Sequence, residues 1–158
     1  MIKKSSFIFL ILVLSASLLV GFSSEPIEDK IGSAVNGNEV DIEATAMKLV
    51  KDQKDGGYKL IATKKLKKWI EKDKDMILID TMPQSFYQKQ HIPGAVNSEM
   101  PKTTLSDATK EQKEAFAKLL GSNKDKTIVI YCGFTKCGKS HVGAKYARQL
   151  GYKNVYRH

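Results

Sequence analysis

The chain has 158 residues, a formal net charge of +9 at pH 7, two cysteines and one tryptophan. Its basic surplus favours anionic small molecules or acidic surfaces as partners, but the lysines are spread along the chain, which argues against a nucleic-acid binder. The densest basic run, "KKLKKW" at 64–69, sets its lysines at helical spacing around Leu66, Trp69 and Ile70, as the solvated face of an amphipathic helix does.

The N-terminus differs from the rest. In "MIKKSSFIFLILVLSASLLVGFSS", Lys3 and Lys4 precede an uncharged run from Phe7 to Val20, followed by the small residues Gly21, Ser23 and Ser24. The run is shorter than the roughly 20 residues that span a bilayer as a helix, so residues 1–24 read as a secretory signal peptide. No cysteine lies near the cleavage region to carry a lipid, and a membrane enters only if the segment stays uncleaved. The mature protein is therefore expected in the periplasm or secreted. About 134 residues remain after cleavage, with the charge reduced by two to +7, enough for one domain with a single core.

Residues 25–38 are polar and read as a linker, and 39–54 as an amphipathic helix stopped by "DGG" at 55–57, making 25–57 a linker-and-helix unit before a domain over 58–158. Apolar runs then alternate with helical patterns. "YKLI" (58–61) is a short strand, and Thr63 caps a helix through about Glu71. "MILID" (76–80) is a continuous apolar run of buried-strand type that ends on a carboxylate, and "GAVN" (94–97) a shorter strand. Thr109 and Gln112 have capping-box spacing before a helix with Phe116, Leu119 and Leu120 on its apolar face, ended by Gly121. "TIVIY" (127–131) is the strongest strand signal, a helix follows from Lys139 to Leu150, and "NVY" (154–156) is the fifth strand. Such alternation predicts an α/β fold with a mostly parallel sheet covered by helices on both faces. In such sheets ligands bind at the carboxyl ends of the strands, here the ends of "MILID" and "TIVIY".

Both cysteines sit at the second of those ends. Cys132 closes the strand, and Gly133, Phe134, Thr135, Lys136, Cys137, Gly138 and Lys139 form a loop before Ser140 at the head of the next helix. A loop between a strand and a helix N-terminus can aim backbone N–H groups at one point, where the helix adds partial positive charge. The expectation is an anion cradle in which these N–H groups, Lys136 and Lys139 hold Cys132 as a nucleophilic thiolate. Cys132, Cys137 and His141 lack a fourth ligand and the familiar zinc spacings, so no metal is expected.

Two segments carry a resemblance. "LIDTMPQSFYQKQHIPGAVN" (78–97) and "IVIYCGFTKCGKSHVGAKYARQLGYKNVY" (128–156) resemble the signature segments of the rhodanese-like superfamily, through Asp80, the His91–Ala95 turn, the Tyr-Cys strand end, the Ser-started helix and the Gly-Tyr-x-Asn-Val segment. The resemblance implies a three-layer fold with a central five-stranded, mostly parallel sheet. It implies a sulfurtransferase without a cofactor: Cys132 takes sulfane sulfur from a small anionic donor such as thiosulfate, holds it as a persulfide and passes it to a thiol or protein acceptor. Asp80 and His91 are then expected to order the backbone near the site, with Ser140 supporting the nucleophile.

Three departures from the pattern matter. The loop is two residues longer than the usual one, with Cys137 five and Ser140 eight positions after Cys132. Longer loops occur in related phosphatases and arsenate reductases, but those use a loop arginine, and none lies between Cys132 and Arg148; lysine lacks the bidentate fork for phosphate oxygens. Met82 stands where many relatives have arginine. The chain ends at "YRH", where the family usually continues through a Gly-Gly turn and a helix, so the expectation is a domain truncated at that end. Cys137 is read two ways: as a thiol that resolves an oxidised Cys132 by forming a disulfide, or as a packed loop residue. The alternative to an enzyme is a binding or redox module built on Cys132 and Cys137.

Overall fold

The computed structural model describes residues 38–158. The expected signal peptide and most of the linker lie outside them. Contacts divide the chain into Met1–Val40 and Asp41–His158, and the sheet belongs to the second unit. Among the described residues no helix is long and apolar enough to cross a membrane.

Five strands, β1 (Lys59–Leu60), β2 (Met76–Asp80), β3 (Val96–Asn97), β4 (Thr127–Tyr131) and β5 (Asn154–Arg157), form one sheet in the order β1-β5-β4-β2-β3. Every pairing is parallel. The apolar runs of β2 and β4 place them side by side at the centre, in register from Met76 opposite Thr127 to Asp80 opposite Tyr131. From this pair the chain runs outward on both sides, to β3 from β2 and to β5 from β4, and that divergence leaves a crevice at their carboxyl ends.

Five described α-helices and one 3₁₀ turn join them: α1 (Glu39–Gly56), α2 (Thr63–Glu71), α3 (Gln84–Lys89), the 3₁₀ turn Leu105–Asp107, α4 (Lys110–Leu120) and α5 (Gly138–Gln149). Side chains alternate between sheet faces along β4. Ile128 and Ile130 pack with Phe116 and Leu120 of α4 and with Val142 and Ala147 of α5, while Val129 and Tyr131 pack with Leu66 of α2 and Ala95. Trp69 of α2 meets Tyr156 edge-on at 5.1 Å on the second face.

Several boundaries differ from the sequence expectations. α1 runs on through Asp55 and Gly56 because its stop is Gly57, at φ 62, in the left-handed region that glycine adopts without strain. Its apolar stripe is not its buried side: Ile42, Met47 and Val50 are exposed, whereas Asp52 and Gly56 are buried. Ala62, not Thr63, is the N-cap of α2, and Thr63 Oγ1 instead meets His158 Nε2 at 3.1 Å. The Thr109–Gln112 capping box forms as expected, with Gln112 N donating to Thr109 Oγ1 (3.2 Å) and Thr109 N to Gln112 Oε1 (2.9 Å). α5 starts at Gly138 rather than Lys139, with Cys137 as its N-cap, so Ser140 lies inside the first turn. Gly138 permits this early start by bringing its backbone against Lys102: a Cβ there would lie 1.9 Å from the Lys102 carbonyl oxygen.

Candidate active site

The carboxyl ends of β2 and β4 open into a cleft of about 690 Å³ whose walls include Asp80, Met82, Phe86, Ile92, Tyr131 and Cys132. Cys132 follows directly on β4, so the most buried strand of the sheet fixes its backbone. Its Sγ lies 3.0 Å from Ser140 Oγ, and the thiol faces the carbonyl oxygens of Cys137 (3.5 Å) and Phe134 (3.7 Å). Cys132 and Cys137 are both free thiols, the first half-buried and the second buried. The Cys137 amide donates to the Phe134 carbonyl (2.9 Å), which closes a tight turn in the loop.

The expectation of a thiol pulled down by the loop is corrected. Burial raises the Cys132 thiol, the hydroxyl and the amide of Ser140 counter it, and Cys137 adds to the rise, leaving the thiol above its ordinary value. Two carbonyl oxygens face the sulfur here, and carbonyl dipoles favour the protonated form. The expected lysines are engaged elsewhere. Lys139 Nζ donates to Glu99 Oε1 (3.0 Å) and to the Met100 carbonyl (2.8 Å), and Lys136 Nζ pairs with Asp41 Oδ1 at 3.4 Å. Phe134 is 63% exposed at the outer edge of the loop, and Gly133 lies over Met82, where a Cβ would meet the Met82 Cε at 3.5 Å.

The supporting residues are structural in their contacts. Asp80 is buried, and its Oδ1 accepts from the Met82 amide at 2.8 Å. His91 stacks on Tyr87 at 4.0 Å and donates from Nδ1 to the Tyr87 carbonyl, while Tyr87 Oη donates to Ala95 O (2.7 Å). The Ile92 amide donates to Tyr131 Oη (2.9 Å), tying the turn to the end of β4. Burial, with Asp80 nearby, pushes the Tyr131 phenol up, so this hydroxyl stays protonated. Among the described residues no group of three or more His, Cys, Asp or Glu could hold a metal ion.

Sequence reasoning missed the residue that braces the loop. Arg157 ends β5, 2% exposed, and its Nη2 donates to the carbonyl oxygens of Thr135 and Cys137, both at 2.9 Å. Nε donates to Ser140 Oγ (2.9 Å), and Nη1 to Asp52 Oδ2 (3.0 Å) and Tyr58 Oη (3.1 Å). No arginine lies between Cys132 and Arg148, and the one that reaches the loop, Arg157, comes from the neighbouring strand β5 and holds the loop by its backbone carbonyls. A signal existed: β5 was expected to be a strand, and an arginine at the carboxyl end of a strand lies at the end of the sheet where the loop sits. Asp52 gave no such signal, because a carboxylate on a polar helix is ordinarily solvated.

Residues 62–158 match the family model for the rhodanese-like domain. The chain belongs to the rhodanese-like domain family. Over 83 residues it is 36% identical to the tRNA uridine(34) hydroxylase of Photorhabdus laumondii, a match covering 52% of this chain and 21% of that protein. The chain thus spans about a fifth of the length of that relative. Its fold is similar to that of a polysulfide-sulfur transferase homodimer from Wolinella succinogenes, with TM-score 0.50, 18% identity and coverage of 78% of this chain and 82% of the other. A 3-mercaptopyruvate sulfotransferase of Escherichia coli aligns with TM-score 0.48 and 20% identity over 63% of this chain and 40% of that one. The rhodanese-like match begins at 62, so α1, with Asp52, and Tyr58 lie before it, yet both residues reach the braced loop through Arg157.

Proposed function

We propose that this rhodanese-like protein is a sulfurtransferase that carries sulfane sulfur as a persulfide on Cys132. The observation that carries the reading is the placement of Cys132: a half-buried thiol at the carboxyl end of the central strand, opening on a cleft and hydrogen-bonded to a buried serine. With thiosulfate as donor, the Cys132 thiolate attacks the outer sulfur, the S–S bond of the donor breaks, and sulfite leaves with the bonding electron pair. The enzyme then holds Cys–S–S⁻. An acceptor thiolate attacks the terminal sulfur, takes it as R–S–S⁻ and returns Cys132 as thiolate. No external oxidant is needed, because the sulfur atom moves with its electrons balanced in both steps.

Family membership supports this reading, as does the name of the polysulfide-sulfur transferase of similar fold, and thiosulfate stands for the class of small anionic donors. The acceptor is a thiol, free or on a protein. Export rests on residues 1–24 and places the reaction in the periplasm or outside the cell.

The test is direct. Reduced protein incubated with thiosulfate should gain one sulfur atom on Cys132 by intact mass and peptide mapping, and lose it to added thiol; an unchanged mass with a free thiol confirmed would refute the reading. A second reading, a redox module joining Cys132 and Cys137, draws on the interaction of the two cysteine side chains, which adds to the rise of the Cys132 thiol. It requires Cys137→Ser to lose sulfur transfer, whereas the persulfide reading has that variant keep it. Phosphoryl or arsenate chemistry gains no support from Arg157, whose donors are all engaged within the chain.

A further inference from the structure

A guanidinium has five N–H donors and no acceptor. All five of Arg157 are used: one on Ser140 Oγ, two on Asp52 and Tyr58 Oη, and two on the Thr135 and Cys137 carbonyls. None is left for a substrate, so this arginine does not act as the anion fork of a phosphatase loop. Its bond to Ser140 has a directional consequence. Because Arg157 Nε only donates, Ser140 Oγ must accept there at 2.9 Å, and the hydroxyl proton must point elsewhere. The other partner of that oxygen is Cys132 Sγ, at 3.0 Å. Ser140 is fully buried, which strengthens a hydrogen bond to charged sulfur relative to one in water.

We propose that Arg157 is a positioning residue for the nucleophile: it turns the Ser140 hydroxyl proton toward Cys132 Sγ and holds the loop by its Thr135 and Cys137 carbonyls. Asp52 and Tyr58 fix the guanidinium in turn, which makes helix α1 part of the catalytic unit although it precedes the family-matched segment. The Ser140 hydroxyl then donates to the thiolate and, after sulfur loading, remains beside the sulfur bonded to Cβ. The assignment rests on Cys132 being the nucleophile.

The experiment follows Cys132 alkylation by iodoacetamide in the full chain, read at the peptide level, as a function of pH. Ser140→Ala and Arg157→Lys should each raise the apparent thiol pKa by about one unit, and the double variant should raise it no further than the larger single. Lysine keeps the positive charge, so a loss of charge is not what the shift reports. An Arg157→Lys shift that persists undiminished in the Ser140→Ala background, or no shift in either single variant, would overturn the proposal. If Arg157→Lys does not fold, Asp52→Asn replaces it: the shift it causes, in either direction, must shrink by at least half in the Ser140→Ala background, and an absent or equal shift overturns the assignment. Alkylation does not depend on sulfur transfer. A chain that shows this coupling but gains no sulfur from thiosulfate would refute the sulfurtransferase reading and leave the role of Arg157 standing.

Discussion

Asp52 Oδ2 lies 3.0 Å from Arg157 Nη1, joining α1 to the last strand across 105 residues of chain. Both side chains are largely removed from water, at 12% and 2% exposure. Removing one partner of such a pair leaves a buried charge without compensation, which costs about 3–5 kcal/mol, far more than an exposed pair contributes. Asp52→Ala should therefore lower the unfolding free energy by about 3 kcal/mol in urea titrations. Asp55→Ala is the control: Asp55 is half-exposed and pairs with Lys145 at 2.8 Å, so its loss should cost less than about 1 kcal/mol. Equal costs for the two would show that the α1–β5 pair is not buried in solution.

The same pair gives stability a dependence on pH. Burial acts to raise Asp52, but Lys48, His141 and Arg157 outweigh it and hold the carboxyl below its ordinary value. A depressed carboxyl contributes stability above its unfolded value, near 3.8, and loses it as pH falls through the lower folded value. His141 and His158 are both pushed down from 6.5 by burial, so the unfolded chain takes up their protons first, and stability declines as pH falls below that value. The urea midpoint should be insensitive to these three groups between pH 7 and 8, decline below 6.5, and decline again below about 4. Asp52→Asn should reduce the second decline, and the first should persist and deepen, because the Asp52 charge is one of those that hold His141 up against burial. A second decline that keeps its full size in Asp52→Asn would remove Asp52 as its source.

Much of the architecture was written in local pattern. β2 and β4 came directly from continuous apolar runs, α4 from its capping box and glycine stop, and the parallel order from alternation. The short elements were less legible, because α3 and the 3₁₀ turn span six and three residues, too few for a periodic signal to develop. Cys132 was legible as a strand-end thiol before a glycine-bearing loop. What organises it was not: Arg157, Asp52 and Tyr58 are brought together by packing across the chain, and each alone looks like an ordinary surface residue type or core aromatic. Lys136 and Lys139 fitted the expected cradle by sequence position, yet their ammonium groups reach acidic residues 95 and 40 positions away, which spacing along a loop cannot reveal.

Gly138 tests how tightly the loop is set. A Cβ at this position would collide with the backbone carbonyl of Lys102, at 1.9 Å, and a backbone atom cannot rotate aside as a side-chain tip can. Gly138→Ala must displace the start of α5, and with it Ser140, at a cost of about 1–3 kcal/mol, and should slow Cys132 alkylation at least tenfold. Gly143→Ala, one turn further on, meets Thr81 Cγ2 at 3.3 Å and Ile130 Cγ2 at 3.4 Å, contacts that relax by a few tenths of an ångström. Its alkylation rate should stay within about twofold of the parent, since overpacking away from the loop costs stability rather than site geometry. Equal alkylation rates for the two variants would separate the Gly138 contact from the geometry of Cys132.

The cleft wall beside Cys132 is largely apolar, formed by Met82, Phe86, Ile92 and Pro93, and the Lys89 ammonium lies 5.8 Å from the centre of the Phe86 ring. An anionic donor that enters here meets one lysine, Lys89, and no arginine among the lining residues. Met82→Arg puts a permanent cation on that wall, on the segment that follows β2, where Gly133 of the loop lies directly over the Met82 side chain. Attraction between a divalent anion and one added cation at cleft range is worth roughly 1–2 kcal/mol at moderate screening, so kcat/KM for thiosulfate should rise about tenfold. The gain should fall as sodium chloride is raised from 0.05 to about 0.5 M, because the Debye length shrinks to a few ångströms over that range. Transfer from the loaded persulfide to a thiol acceptor with no other charged group should gain less than the donor step, since its attacking thiolate carries one negative charge and thiosulfate carries two. A salt-independent gain, or an equal gain for the acceptor step, would show that the substitution acts by reshaping the wall and not by supplying charge.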